Sequence, residues 1–193
     1  MSDKKIEIYI AIHKKAKVLE RECYIPLHVG AEGKEDLGFT RDNTGDNISC
    51  KNLNYCELTG LYWIWKHSKA DIVGLVHYRR YFVKSFFTTN MEKAITDKDI
   101  NNYLKKYDII LPKPYWTYKK TVEEQYAVDH NIEDYKKLRK IIEENTPEYL
   151  DAFDAVSNRR YFYNYNMFIM DKQLFNEYAE WVFYVLGELE KQV

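Results

Sequence analysis

The chain has 193 residues, 46% of them hydrophobic, and a formal net charge of −1. That length suits one domain with its own core, and that apolar content excludes wholesale disorder. The near-balanced charge excludes a general nucleic-acid binder, whose phosphate contacts need a basic excess.

The first predicted element is a strand over residues 6–13. Ile6, Ile8, Ile10 and Ile12 alternate there with Glu7, Tyr9, Ala11 and His13. Residues 14–50 read as one polar, irregular stretch, broken by Pro26, Gly30, Gly33, Gly38 and Gly45; a long loop of this kind in a compact domain is usually functional or flexible. A helix follows over residues 53–67, with Leu53, Cys56, Gly60, Leu61, Ile64 and Trp65 on its apolar stripe and Glu57 unexpectedly beside them.

Residues 71–76 form a short, fully buried strand that ends abruptly in His77-Tyr78-Arg79-Arg80-Tyr81-Phe82. Thr96-Asp97-Lys98-Asp99 reads as a capping box opening a helix that runs to about residue 106. A strand over residues 107–111 is stopped by Pro112, and an amphipathic helix covers residues 131–144. Thr146-Pro147 opens a further helix. An aromatic-rich strand over residues 161–170 leads into a final helix with Leu174, Trp181, Val185 and Leu189 inward. The order predicts an α/β domain with a mixed, mostly parallel sheet flanked by helices, a single domain over residues 1–193 whose last helix has no stop signal, as in a chain truncated at its C-terminus.

The three cysteines, Cys23, Cys50 and Cys56, show no C-x-x-C, so neither a disulfide framework nor a zinc site is indicated, and Cys50 and Cys56 are expected to be reduced and buried. The 18 tyrosines suit half-wet sugar clefts and plain sheet surfaces alike. No signal-peptide core and no apolar run near the ~20 residues of a membrane span is present, so a cytoplasmic chain is expected, with peripheral attachment at the inner face of the plasma membrane left open.

Four constellations carry chemistry. Ligands of open α/β sheets bind beyond the carboxyl ends of strands, where His77, Arg79 and Arg80 stand ready for an anion; guanidinium forks match phosphate oxygens. Glu57 on an apolar helix face needs a partner, and a Glu57–Arg79 or Glu57–Arg80 pair is expected. The loop 42–49 is a turn former, otherwise a plain helix lead-in, in which Asp46 or Asn47 is placed to accept from a base or ribose. Among Glu123, Glu124, Asp129 and His130, the pair Asp129-His130 can supply a base toward an acceptor hydroxyl. Asn164-Tyr165-Asn166 places polar groups, Asn166 among them, at the start of the last strand. Absent are G-x-G-x-x-G, a P-loop, G-x-S-x-G, Cys/His metal spacing and D-x-D.

Several of these segments resemble one bacterial family. They are Glu35-Asp36-Leu37-Gly38, Thr44-Gly45-Asp46-Asn47-Ile48, Cys56-Glu57-Leu58-Thr59-Gly60-Leu61-Tyr62-Trp63, Gly74-Leu75-Val76-His77-Tyr78-Arg79-Arg80-Tyr81-Phe82, Tyr107-Asp108-Ile109-Ile110-Leu111-Pro112 and Tyr165-Asn166-Met167-Phe168-Ile169-Met170. The family consists of domains of unknown function from capsular and exopolysaccharide biosynthesis clusters, is often labelled glycosyltransferase, and is similar to the GT-A superfamily. The resemblance implies a transferase moving a hexose from a nucleotide diphosphate sugar, usually a UDP-sugar, to a lipid-linked saccharide. It implies nucleotide binding at Ile12, His13, Asp46 and Asn47, and diphosphate binding at His77, Arg79 and Arg80. His77-Tyr78-Arg79 stands where the superfamily has its metal-binding D-x-D, so a divalent metal is not expected and the arginines take its place. The alternative is a binding module of a polysaccharide assembly complex without turnover.

Overall fold

The computed structural model describes residues 4–85, 88 and 90–193. In chain order the elements are β1 (Ile6–Ile12), β2 (Tyr24–His28), β3 (Thr40–Arg41), α1 (Asn52–Tyr55), α2 (Leu58–His67), β4 (Ile72–His77), α3 (Asp97–Leu104) and β5 (Ile109–Ile110). They continue with β6 (Tyr115–Trp116), α4 (Val122–Asp129), α5 (Ile132–Asn145), α6 (Leu150–Ser157), β7 (Tyr161–Phe162), β8 (Phe168–Asp171) and α7 (Lys172–Glu190). The chain forms two compact units. The first ends at Pro112 and includes Tyr165–Ala179; the second is Lys113–Asn164 with Glu180–Val193.

The first unit holds a six-stranded sheet in the order β3-β2-β1-β4-β8-β5. Strands β1 to β4 pair in parallel, and β8 runs antiparallel to β4 and β5. This is the mixed, mostly parallel sheet expected. The central β1 is buried on both faces, with Tyr9 and Ala11 enclosed as fully as the isoleucines. Alternation in a central strand therefore does not mark a wet face. Glu7 is kept there by Lys5, Tyr9 and Ser68, whose donors lie 2.7, 2.7 and 2.6 Å from its carboxylate. At Gly74 a Cβ would stand 2.7 Å from Ile169 Cγ1 and 2.8 Å from the Phe168 carbonyl, so only glycine lets β4 lie this close to β8.

Two departures from the expected elements matter for the site. Residues 14–50 are not one loop: they contain β2 and β3. Pro26 sits inside β2, which argues against a strand on sequence alone. Val29 N–H donates to the Ile12 carbonyl, so alternation turns Ile25 and Leu27 toward β1 and Pro26 away from it. β3 reaches only Leu27 and His28, so the missing donor of Pro26 breaks no ladder. The predicted helix 53–67 is in fact broken at Cys56, whose φ is +47°. Leu53 is 95% exposed as a result, and Cys50 and Cys56 are exposed rather than buried.

The second unit packs Ile141, Ile142 and Val185 with Leu138, Leu150, Phe153, Trp181 and Leu189. Trp181, Val185 and Leu189 face inward as expected, but Leu174 is among the exposed side chains. The capping box at Thr96 and Asp99 forms, and a second one, Thr121 with Glu124, starts the unforeseen helix α4. The strand expected over residues 161–170 is divided into β7 and β8 at Tyr165 and Asn166, with φ of +75° and +53°. No described helix is long and apolar enough to cross a membrane.

Candidate functional site

The carboxyl ends of β1 and β4 lie side by side, with Ala11 paired to His77. Tyr78 N–H extends the ladder to the Ala11 carbonyl, and the chain then reverses in a two-residue turn. His77 and Arg80 close that turn by exchanging backbone hydrogen bonds of 2.9 and 3.2 Å. The turn leaves Arg79 and Arg80 exposed while His77 stays 8% exposed.

The His77 ring is held from both sides. Its Nε2–H donates to the Tyr165 carbonyl at 2.5 Å, an acceptor that fixes the proton on Nε2. Its Nδ1 lies 3.5 Å from Glu57 Oε1. Glu57 is the residue before α2, because the break at Cys56 restarts the helix at Leu58. Its carboxylate thus sits at the positive end of the helix rather than on an apolar face. The expected pairing of Glu57 with Arg79 or Arg80 is not seen: its carboxylate faces His77 Nδ1, an ion pair only while the ring carries a proton on both nitrogens. Among the described residues neither arginine pairs with a carboxylate; the Arg79 guanidinium lies 5.0 Å from the centre of the Tyr78 ring and that of Arg80 4.1 Å from Tyr165. An aromatic support of this kind orients a guanidinium without occupying its N–H donors.

His13 meets the Tyr78 ring edge-on at 5.5 Å. Partial burial, then Lys14, Arg79 and Lys34, hold its pKa below the ordinary histidine value against a smaller opposing pull from Glu57. A cleft of about 300 Å³ opens among His13, Val29, Lys34, Asn52, Cys56 and Glu57. A second, of about 290 Å³, is lined by Lys17, Tyr78, Arg79, Tyr81, Asn90 and Met91. A larger cavity lies at the other end of the strands, among Lys4, Asp71, Asp171 and Lys172, away from the carboxyl ends where this class of sheet binds ligands. No cluster of three metal-ligating side chains occurs among the described residues.

The structure thus gathers His13, Glu57, His77, Arg79 and Arg80, and sets the left-handed, exposed Asn166 next to the Tyr165 that holds His77. It does not bring Asp46 and Asn47 to them. Asp46 accepts from Tyr62 at 3.0 Å, its carbonyl meets His67 Nε2 at 2.9 Å, and Asn47 bonds within its own loop to Gly45 and Ser49. His67 ends the helix that Glu57 begins, about 15 Å away at 1.5 Å per residue. Asp46 and Asn47, expected to meet the nucleotide, therefore lie away from the His77 edge. Ile12 is fully buried and offers no side chain to a ligand. Asp129 and His130 belong to the second unit, at the end of α4; Asp129 accepts from Gln125 and His130 stacks on Tyr126.

Sequence reasoning placed two residues, Asp42 and Tyr165, in candidate segments but gave neither a role. Asp42 is fully buried without a cation, and accepts from Gly30 N–H, Ala31 N–H, Ser49 Oγ and Thr59 Oγ1 at 2.7, 3.0, 2.5 and 2.6 Å. It ties the chain after β2 to Ser49 before α1 and to Thr59 in α2, segments adjoining the Val29, Asn52 and Glu57 that line the 300 Å³ cleft. Its signal was Thr59, the second residue of α2, invisible without the fold. Tyr165 is the other: its carbonyl and ring support His77 and Arg80, and no propensity forecasts a left-handed tyrosine.

A family model described as "Domain of unknown function (DUF4422)" matches residues 7–193. Among solved structures, one titled "WbbM bifunctional glycosytransferase apo structure" is similar with a TM-score of 0.88 and 32% sequence identity. The match covers 98% of this chain and 38% of that one. No curated protein matches the chain.

Proposed function

We propose, from the premise that this chain belongs to the DUF4422 domain family, that it is a glycosyltransferase domain using a nucleoside diphosphate sugar. The observation that carries this reading is the pair Arg79 and Arg80, exposed at the carboxyl end of β4 and without carboxylate partners among the described residues. The similarity to a structure titled as a glycosyltransferase supports it.

In this reading the diphosphate lies across Arg79 and Arg80. The bond from the sugar's anomeric carbon to the β-phosphate oxygen breaks, and its electron pair leaves with the diphosphate. The guanidinium donors stabilise that charge as it develops, in place of a metal. The acceptor hydroxyl oxygen bonds to the anomeric carbon as its proton passes to a general base. The nucleoside occupies the cleft of His13, Lys34, Asn52 and Glu57, and Asn166 meets the sugar. We assign a UDP-hexose as donor and a growing, lipid-linked capsular or exopolysaccharide chain as acceptor, at the cytoplasmic face of the membrane.

The test is transfer of labelled hexose from a panel of nucleoside diphosphate sugars to such an acceptor, with release of the nucleoside diphosphate followed in parallel. Transfer that requires Arg79 and Arg80 supports the reading. Tight donor binding with neither transfer nor donor hydrolysis, in a chain supplied with its acceptor, would convert it into a binding module.

A further inference from the structure

We propose that the two-stranded ribbon of the second unit docks on an anionic phospholipid surface. Strands β6 and β7 pair Tyr115 with Phe162 and Trp116 with Tyr161. Side chains alternate between the faces of a strand, so Trp116, Tyr161 and Tyr163 share one face. Their rings follow one another at 5.0 and 6.4 Å. Trp116 is 55% exposed and Tyr163 49%, and Tyr118 beyond the end of β6 is 83% exposed on a left-handed backbone with φ of +59°. A strained backbone that holds an aromatic ring in water contributes nothing to the core of its unit.

Charge says what covers these rings. Residues 114–121 and 159–163 contain Lys119, Lys120, Arg159 and Arg160 and no acidic residue, in a chain whose net charge is −1. All four are exposed. The next carboxylates along the chain are engaged elsewhere. Glu124 caps its own helix at Thr121, and the charge of Glu123 acts on Tyr135, Lys136 and Arg139 of α5. The exposed large side chains of the ribbon are Trp and Tyr, whose apolar body and polar tip suit the headgroup layer of a bilayer. A neutral saccharide would leave the cations without a complement. Phosphodiester headgroups answer both features. This inference rests on the second unit alone and stands apart from the nucleotide reading.

The test is co-sedimentation of the whole chain with vesicles of phosphatidylcholine alone and of phosphatidylcholine mixed equally with phosphatidylglycerol. Binding is expected only to the mixed vesicles, and to be lost as salt rises from about 0.1 to 1 M and the screening length falls from about 10 to 3 Å. Each Lys or Arg near such a surface is worth about a five-fold gain, so Lys119→Glu with Lys120→Glu should weaken binding at least ~25-fold. Trp116→Ala with Tyr118→Ala should weaken it independently of salt, and circular dichroism should be unchanged in both variants. Equal binding to the two vesicle types, no binding to either, or undiminished binding by a folded charge-reversal variant would overturn the proposal. So would ribbon-dependent binding of a soluble oligosaccharide with none to vesicles.

Discussion

Asp42 and the turn at His77–Arg80 are both polar features of the first unit, built to opposite ends. Asp42 is fully buried, and four donors from three segments meet its carboxylate. Arg79 and Arg80 are exposed donors resting on aromatic rings, with no carboxylate opposite them among the described residues. Beside them Tyr165 and Asn166 hold consecutive left-handed conformations, each costing on the order of 1–3 kcal/mol. A polar cluster that is complete holds the fold; one whose donors point outward, beside strained backbone, is where the proposed diphosphate would bind.

The largest effect expected from this contrast is on transfer. Replacing Arg79 and Arg80 together by alanine removes two charged donor groups, each worth about 1.5–3 kcal/mol, so kcat/KM should fall at least ~100-fold. Urea denaturation of the same variant should show stability within about 0.5 kcal/mol of the parent, as for surface substitutions. Asp42→Ala should do the reverse: a loss of about 3 kcal/mol in stability from stranded donors, read as a lower urea midpoint at unchanged slope. If Asp42→Ala were as stable as the parent, the distinction between the two regions would collapse.

Tyr165→Gly sharpens the contrast within one residue. Glycine accepts the positive φ without strain, so stability should rise by about 1 kcal/mol. Transfer should nevertheless drop several-fold, because Arg80 loses its aromatic support, worth about 0.5–1 kcal/mol at an exposed site. A gain in both would mean the ring supports nothing.

The smallest effect is a pH dependence. His28 is buried at the end of β2 with neither ring nitrogen hydrogen-bonded to protein, and burial, then Arg41, lowers its pKa. The folded state keeps the ring neutral while the unfolded chain takes up a proton below about pH 6.5. Stability contributed by the neutral ring is therefore present above that pH and declines as pH falls through it toward the lower folded pKa, by at most about 1.4 kcal/mol per unit. The partly buried His13 acts in the same direction. Thermal melts between pH 7.5 and 5.5 should show the decline, reduced in His28→Leu.

The fold was legible where long-range pattern and local chemistry agree: the isoleucine run of β1, the buried β4, and the capping box at Thr96 all form. It was illegible where context overrides propensity. Pro26 hides β2 because its outward-facing nitrogen is known only from the sheet register, and Cys56 breaks a helix that its apolar neighbours advertise. In the candidate site, the position of His77, Arg79 and Arg80 was readable because a buried strand delivers the residues that follow it to the carboxyl edge of the sheet. The partner of Glu57 was misread because the chain restarts its helix one residue after it, which puts the carboxylate on His77. Asp46 was misplaced because position in sequence between β1 and α2 says nothing of which end of α2 the loop reaches.

The account rests on an arginine-held diphosphate, and calorimetric titration with UDP tests it most directly, in chelator and again with manganese, for the parent and the Arg79→Ala, Arg80→Ala variant. The prediction is binding that survives chelation and disappears in the folded variant. Binding only with manganese, or binding undiminished by loss of both arginines, would contradict it.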